Sequence, residues 1–573
     1  MTTKYNGYEL NYSLKELKKM TSDEMTDIVL LSPDSPEYQA LPAGDQKALQ
    51  HLVAAAKILN NVTLRQDNPL NLLQKQALEQ NAAHDEQAAL SLKIFNSLNG
   101  VSGLNGIDPD PVCVFKNLTT PAGKNFYPAD LSVNEFHQIL INMFQNNEID
   151  EIRHILSSRT MVVRHQDKLK AIDYTEYFKD EFSAIANELE VAAHYCTDSL
   201  FKEFLSWQAQ ALLQNNEDMD MLADKHWAML QEQPLEFTIS RENYDDEITP
   251  TVLENPQLAE LIHQHNIEVV AKDMLGARVG IVNRRGTETL LKFKNMMPQL
   301  SAKMPFADKY SQSINTSGDL KQTMVDVDLI SLTGDYAQCR GGITIAQNLP
   351  NNDKLSVKTG GGRRNVYHRQ VRLSHDQERT QAMLNAFLHP DFHKYYDLEA
   401  GHLFVIGHEN GHSLGPGSEY QNAPGICKSI IEENKADTIS IAFMPEYVKA
   451  GIITGEQLKQ IYATWIIRLL LRAKPVFPTE THRIADLIEV NTLLKTGAIT
   501  FDADKLLHID FAKISPVIYG LLEQIIDIQL SKSPQKARKY IEENTVWTDT
   551  HEYIAQTHKK LGLKKYKNIV SFF

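Results

Sequence analysis

Cysteine is scarce in this chain. Four occur in 573 residues, Cys113, Cys196, Cys339 and Cys427, widely scattered and with no Cys-x-x-Cys. That excludes a disulfide framework and suits reduced thiols in a cytoplasm. Basic charge is also in deficit. Lys plus Arg number 58 against 73 Asp plus Glu, a net charge of −15. Such a field repels a phosphate-rich partner, so nucleic acid is not expected. The lysines near the C-terminus, Lys559, Lys560, Lys564, Lys565 and Lys567, read as a solvated tail or helix face. Long apolar runs are missing too. No window approaches the ~20 apolar residues of a spanning helix, so no membrane partner is expected. Residues 461–471 (IYATWIIRLLL) are apolar but short and broken by Arg468, and read as a buried helix. The N-terminal stretch MTTKYNGYELNYSL has no continuous apolar segment, so no signal peptide is expected there. No Gly-Lys-Ser/Thr follows Gly360-Gly361-Gly362, which excludes a phosphate loop and leaves a hairpin tip. There is no internal repeat and no low-complexity segment.

What remains is an ordinary globular composition, 42% apolar and 23% charged. The length is too great for one compact core, so two or more lobes are expected. Apolar spacing predicts helices through most of the first ~230 residues, with Leu49, Leu52, Val53, Ala56 and Leu59 on one face. Near residue 235 the pattern changes. LEFTISRENY, MVDVDLISL (324–332) and GGITIAQNLPNND (341–353) are alternating or β-branched and predict strands. From residue 376 onward the chain reads as helical again. The fold class is therefore mainly α with a smaller β part.

The chemistry concentrates at His408-Glu409-Asn410-Gly411-His412 and, shortly after, Glu432-Glu433-Asn434-Lys435-Ala436-Asp437. Two histidines four apart on a helix share a face and can grip one metal ion. Glu433, on a second predicted helix, can complete a His₂Glu set. That set leaves a position open for water, as in a catalytic zinc site. Asp437, one turn beyond Glu433, can hydrogen-bond a ligand histidine and fix its tautomer. Glu409 directly follows His408 and can take a proton from an activated water. Glu432 is either a partner to a ligand or a solvated neighbour. The lead-in Leu403-Phe404-Val405-Ile406 points to a buried helix, where unpaired His and Glu would be costly.

These residues resemble the M49 metallopeptidases, the dipeptidyl peptidase III family, which pairs HExxGH or HExxH with EExxA(E/D). HENGH, with the following Ser413-Leu414-Gly415-Pro416-Gly417, is similar to the short bacterial branch. GKNFYPADLSVNEF (123–136), SRENYDDEI (240–248), IAQNLPNND (345–353) and THRIADLIEVNTLL (481–494) resemble family segments in the same order. The resemblance implies two lobes about a wide cleft. Residues 1–258 and 323–370 would form a substrate-binding lobe with a small β-barrel core, and 259–322 and 371–573 a helical zinc lobe. It implies one Zn²⁺ per chain, held by His408, His412 and Glu433, and removal of dipeptides from the free N-terminus of oligopeptides. By resemblance, Glu242 holds the substrate's α-amine and Asn348 and Asn351 bind its backbone. Tyr244 polarises the scissile carbonyl and His482 steadies the transition state. Asp486 departs from the pattern, standing where the family has an arginine. Two other readings stay open: a zinc hydrolase or endopeptidase with another substrate, and a catalytically silent peptide-binding protein.

Overall fold

The helical spacing read at Leu49–Leu59 becomes one helix, Ala43–Asp67, with those residues buried on a single face. That face packs on the helix Lys179–Tyr195 and on the strand Met274–Asn283. The structure, a computed structural model, describes all residues except 1–3, 106–109, 167, 243–245, 312–322, 338–342, 344, 350–363, 375, 477–479 and 563. The class is α+β, and the chain divides into two compact units. Unit 1 comprises Met1–Asn283, Val327–Ser374 and Lys564–Phe573; unit 2 comprises Arg284–Asp326 and His375–Leu563.

Unit 1 sets helices around a five-stranded sheet. Its strands are β1 (Leu235–Glu242), β2 (Met274–Asn283), β3 (Thr323–Gly334, which belongs to this unit from Val327 onward), β4 (Ala346–Leu349) and β5 (Arg364–His368), in the order β4-β5-β3-β2-β1. β1 and β2 are antiparallel, from Leu235 opposite Ile281 to Glu242 opposite Met274. Among the described residues the sheet has β1 and β4 at its edges and forms a curled half-barrel, the form taken here by the small β-barrel core expected. β2 is buried from Met274 to Val282, on both faces, which is why its sequence runs apolar instead of alternating. Gly280 lets β2 approach β3: a Cβ there would lie 2.3 Å from Val327 Cγ1. The sheet also buries charge. Arg364 Nη2 donates to Glu236 Oε2 (2.8 Å), and Trp227 Nε1 donates to Glu236 Oε1 (2.9 Å). Both ions are fully enclosed, so each needs the other to remain charged.

The unit boundaries differ from those expected: the divisions fall after Asn283, Asp326, Ser374 and Leu563, and two of the shifts are large. Residues 259–283 stand with unit 1, because β2 pairs with the whole of β1 from Met274 to Ile281. Residues 564–573 do so as well, because Tyr566–Val570 pairs in parallel with Met25–Val29. Lys567 therefore lies in a strand, not a solvated tail, while Lys559 and Lys560 are exposed at the end of the helix Asp549–Lys560. The glycine triplet 360–362 lies outside the described residues.

Unit 2 is helical. Its principal helices are α1 (Leu398–His412), α2 (Lys428–Lys449), α3 (Gly455–Arg472), α4 (Thr481–Lys495) and α5 (Phe511–Ser531). The Asp397 side chain caps α1 by accepting from Ala400 N (2.8 Å). α1 ends at His412, and Gly415 turns the chain in the left-handed region at φ 97°. α2 packs against α1, α4 and α5, and α3 against α1. The apolar run 461–471 is buried within α3, with Trp465 against Phe404. Among the described residues, no helix is long and apolar enough to cross a membrane.

Candidate metal centre

Glycine sets how closely α1 and α2 can approach. A Cβ on Gly411 would come 2.8 Å from Ala436 O and 3.0 Å from its Cα; one on Gly407 would come 2.3 Å from Ser440 Oγ. The contact is closed by Ser440 Oγ donating to Phe404 O (2.8 Å). This approach brings the face holding His408 and His412 against the face holding Glu433 and Asp437. Gly411→Val is expected to push the helices apart, at a cost of about 1–3 kcal/mol, and to abolish metal uptake. Thermal denaturation with zinc titration checks this; an unchanged midpoint and full uptake would contradict it.

The imidazoles are aimed by acidic partners. His408 Nδ1 lies 2.6 Å from Asp437 Oδ1, and His412 Nδ1 lies 3.1 Å from Glu432 Oε1. A carboxylate only accepts, so each Nδ1–H donates and each Nε2 keeps its lone pair. Glu432 is thereby placed as a partner of His412, and Lys435 Nζ, itself fully buried, sits 2.8 Å from the same oxygen. Burial alone would raise the Glu432 carboxyl, but Lys435 and His412 outweigh it and bring it down to about 2. Burial likewise acts to lower the His408 imidazole, yet Asp437, with Glu433 and Glu409, pushes it up to about 9. The same anionic surround favours a cation at Nε2.

The three expected ligand atoms converge. His408 Nε2 and His412 Nε2 are 3.1 Å apart, and Glu433 Oε2 lies 3.4 Å from the first and 3.7 Å from the second. Ligands about 2.0–2.1 Å from a tetrahedral zinc ion stand roughly 3.3 Å from one another, so this triangle has the right size. Two ring nitrogens at that range need a proton or a cation between them. Glu433 Oε2 is moreover buried with no hydrogen-bond partner. The donor set fits a divalent metal ion.

Around the triangle is a buried ionic cluster. Asp437 is fully enclosed; burial would raise its carboxyl, but His408, Arg468 and Arg472 hold it well below the usual range. Arg472 grips Asp486 through two bonds, Nε to Oδ2 (2.7 Å) and Nη2 to Oδ1 (3.0 Å). Asp486, at the family's arginine position, thus points into the unit's core. Asn434 Nδ2 donates to Glu489 Oε1 (2.8 Å), and Tyr540 donates to Asn434 Oδ1 (2.7 Å). Lys435, Arg468, Arg472 and Glu489 escaped the sequence reading. One signal was available: Arg468, inside an apolar helix, had to answer a buried acid.

The remaining expected residues are placed as follows. His482, at the start of α4, is exposed, with Nδ1 3.2 Å from Glu433 Oε2 and its ring 6.2 Å from that of His408. Glu409 is half-buried on α1 between the two histidines. Glu242 is buried at the end of edge strand β1 in unit 1. Asn348 lies in edge strand β4 opposite Asn365. Tyr244 and Asn351 lie outside the described residues.

With this geometry established, the likeness to solved proteins is informative. A dipeptidyl peptidase III structure from Caldithrix abyssi superposes with a TM-score of 0.78, covering 96% of this chain and 98% of that one at 22% identity. This chain has the dipeptidyl peptidase III fold. A dipeptidyl-peptidase III structure from Corallococcus sp. strain EGB matches that fold as well, with a TM-score of 0.71, 97% and 96% coverage and 19% identity. A protein of Arabidopsis thaliana described as Nudix hydrolase 3 is 22% identical over 544 residues; the match covers 85% of this chain and spans 66% of that protein's length. No protein-family profile matches the sequence. The dipeptidyl peptidase III fold thus extends over nearly the whole chain, and unit 2 carries both HENGH and EENKAD.

Proposed function

We propose that this chain is a zinc-dependent exopeptidase of the dipeptidyl peptidase III family, releasing dipeptides from the free N-terminus of oligopeptides. The observation that carries this reading is the triangle of His408 Nε2, His412 Nε2 and Glu433 Oε2, at 3.1, 3.4 and 3.7 Å. These three residues would hold the ion. Zinc bound there would act as a Lewis acid and bring the pKa of a water towards ~7.

The chain's own groups do the rest. Glu409, one residue from His408 and half-buried, accepts the proton of the attacking water and passes it to the leaving amine. Asp437 and Glu432 keep both imidazoles in the tautomer that presents Nε2. His482 donates a hydrogen bond to the oxygen that becomes negative as the carbonyl is attacked, with Tyr244 as the second donor. Glu242 provides a carboxylate for an α-ammonium group, and Asn348 and Asn351 provide amides for an extended peptide backbone. An exopeptidase needs that α-ammonium anchor to count residues from the end.

Mass spectrometry of products from free and N-acetylated oligopeptides, with zinc added, tests the reading. Dipeptides released from free N-termini only are expected. Internal cleavage of both sets would mark an endopeptidase instead, and no turnover of either would mark a silent peptide binder.

A further inference from the structure

Unit 2 holds a second convergence of ligand atoms, built on other elements. One ring nitrogen of His389, one of His508 and one carboxylate oxygen of Asp502 lie within 4.8 Å of one another. We propose that these three residues form a second divalent-cation site, of the zinc class, that clips two remote segments of unit 2 together.

The backbone explains why they meet. His389 precedes the short helix Pro390–Tyr395, while Asp502 and His508 lie on the hairpin Ile499–Phe501/Leu507–Ile509. His389 N donates to Leu507 O (3.1 Å), beside a parallel bridge between Leu388 and Leu507. That pairing fixes where the His389 side chain leaves the chain. Asp502 is fixed by its own turn. Its Oδ1 accepts from Asp504 N (3.0 Å) and Leu506 N (2.9 Å), which turns Oδ2 towards His508 Nε2 at 3.0 Å. The two imidazoles are tilted 35° to one another, with centroids 4.3 Å apart, and the Phe392 ring stands edge-on to His508 at 5.8 Å.

The donors are therefore oriented before any ion arrives, which removes most of the entropic cost of binding. The surroundings suit a cation. Asp391 Oδ2 is 3.6 Å from His389 Nδ1, and that nitrogen receives only a long contact, 3.4 Å, from Asp391 N. Two imidazoles and one carboxylate form a borderline set that suits zinc better than magnesium or calcium, which prefer all-oxygen shells. All three side chains are half-buried, with 29–38% exposure, so water can fill the remaining positions. An ion there would close a long chain loop, and so act on stability and not on turnover.

Zinc content after loading and dialysis tests the proposal. The full chain is expected to retain two equivalents, His389→Ala/His508→Ala one, and His408→Ala/His412→Ala the other one. Asp502→Asn keeps an oxygen for the turn but loses the charge; it is expected to weaken the second site at least tenfold while folding normally. In the His408→Ala/His412→Ala background, zinc is expected still to raise the melting temperature, and His389→Ala to remove that rise. A double variant at 389 and 508 that retains as much zinc as the parent would overturn the proposal, as would a parent chain whose zinc is lost entirely with His408 and His412. Because the arms report separately, failure here leaves the reading of the first centre intact, and the converse holds.

Discussion

Glu409→Gln is expected to lower peptide hydrolysis by about 10²–10⁴-fold while leaving zinc content unchanged. The amide matches the carboxylate in size and sits in the same half-buried place, yet it cannot accept a proton at neutral pH. Glu409 is not in the ligand triangle, so uptake of the ion does not depend on it. Nor does it occupy the tight contact between α1 and α2, which is formed through Gly407 and Gly411. Its thermal stability should therefore stay within about 0.5 kcal/mol of the parent. Steady-state kinetics with zinc analysis on the same preparation decide the matter. A variant that retains a tenth or more of the parental rate would remove Glu409 from its role as base.

Asp437→Ala should have the largest structural effect of any single change near the centre. The carboxylate is fully buried, bonds His408 Nδ1 at 2.6 Å, and faces the Arg468 and Arg472 guanidinium groups. Its removal breaks the buried His408–Asp437 pair, a loss that costs about 3–5 kcal/mol, while Arg472 keeps Asp486. It also frees the His408 ring to choose its tautomer, which should weaken metal binding by about 10–100-fold. Asp437→Asn keeps an acceptor for His408 but loses the charge, so it should recover part of the metal affinity and little of the stability. Chemical denaturation and zinc titration of both variants separate the two contributions. If Asp437→Ala binds zinc like the parent, the carboxylate does not aim His408.

The two halves of the centre were legible in the sequence because helix geometry fixes them. His408 with His412, and Glu433 with Asp437, are each four residues apart, so each pair must share a face whatever else the chain does. Glu432 could not be placed that way. Its neighbour Glu433 already points at the triangle, and one step along a helix turns a side chain by about 100°. Only the crossing of α1 over α2 shows that the turned carboxylate meets His412. The glycines that permit the crossing looked unremarkable, since their role lies in the helix opposite. Helices such as Ala43–Asp67 and the buried run at 461–471 were legible from spacing and from length. The parallel pairing of Tyr566–Val570 with Met25–Val29 was not, because the partners lie at opposite ends of the chain and nothing local signals it. The same holds for the convergence of His389 on Asp502 and His508.

Diffraction data collected at the zinc absorption edge, from crystals of zinc-loaded protein, address the central claim directly. An anomalous peak is expected within bonding distance of His408 Nε2, His412 Nε2 and a Glu433 carboxylate oxygen, and it should vanish in His408→Ala/His412→Ala. No peak among these three residues after loading would contradict the account.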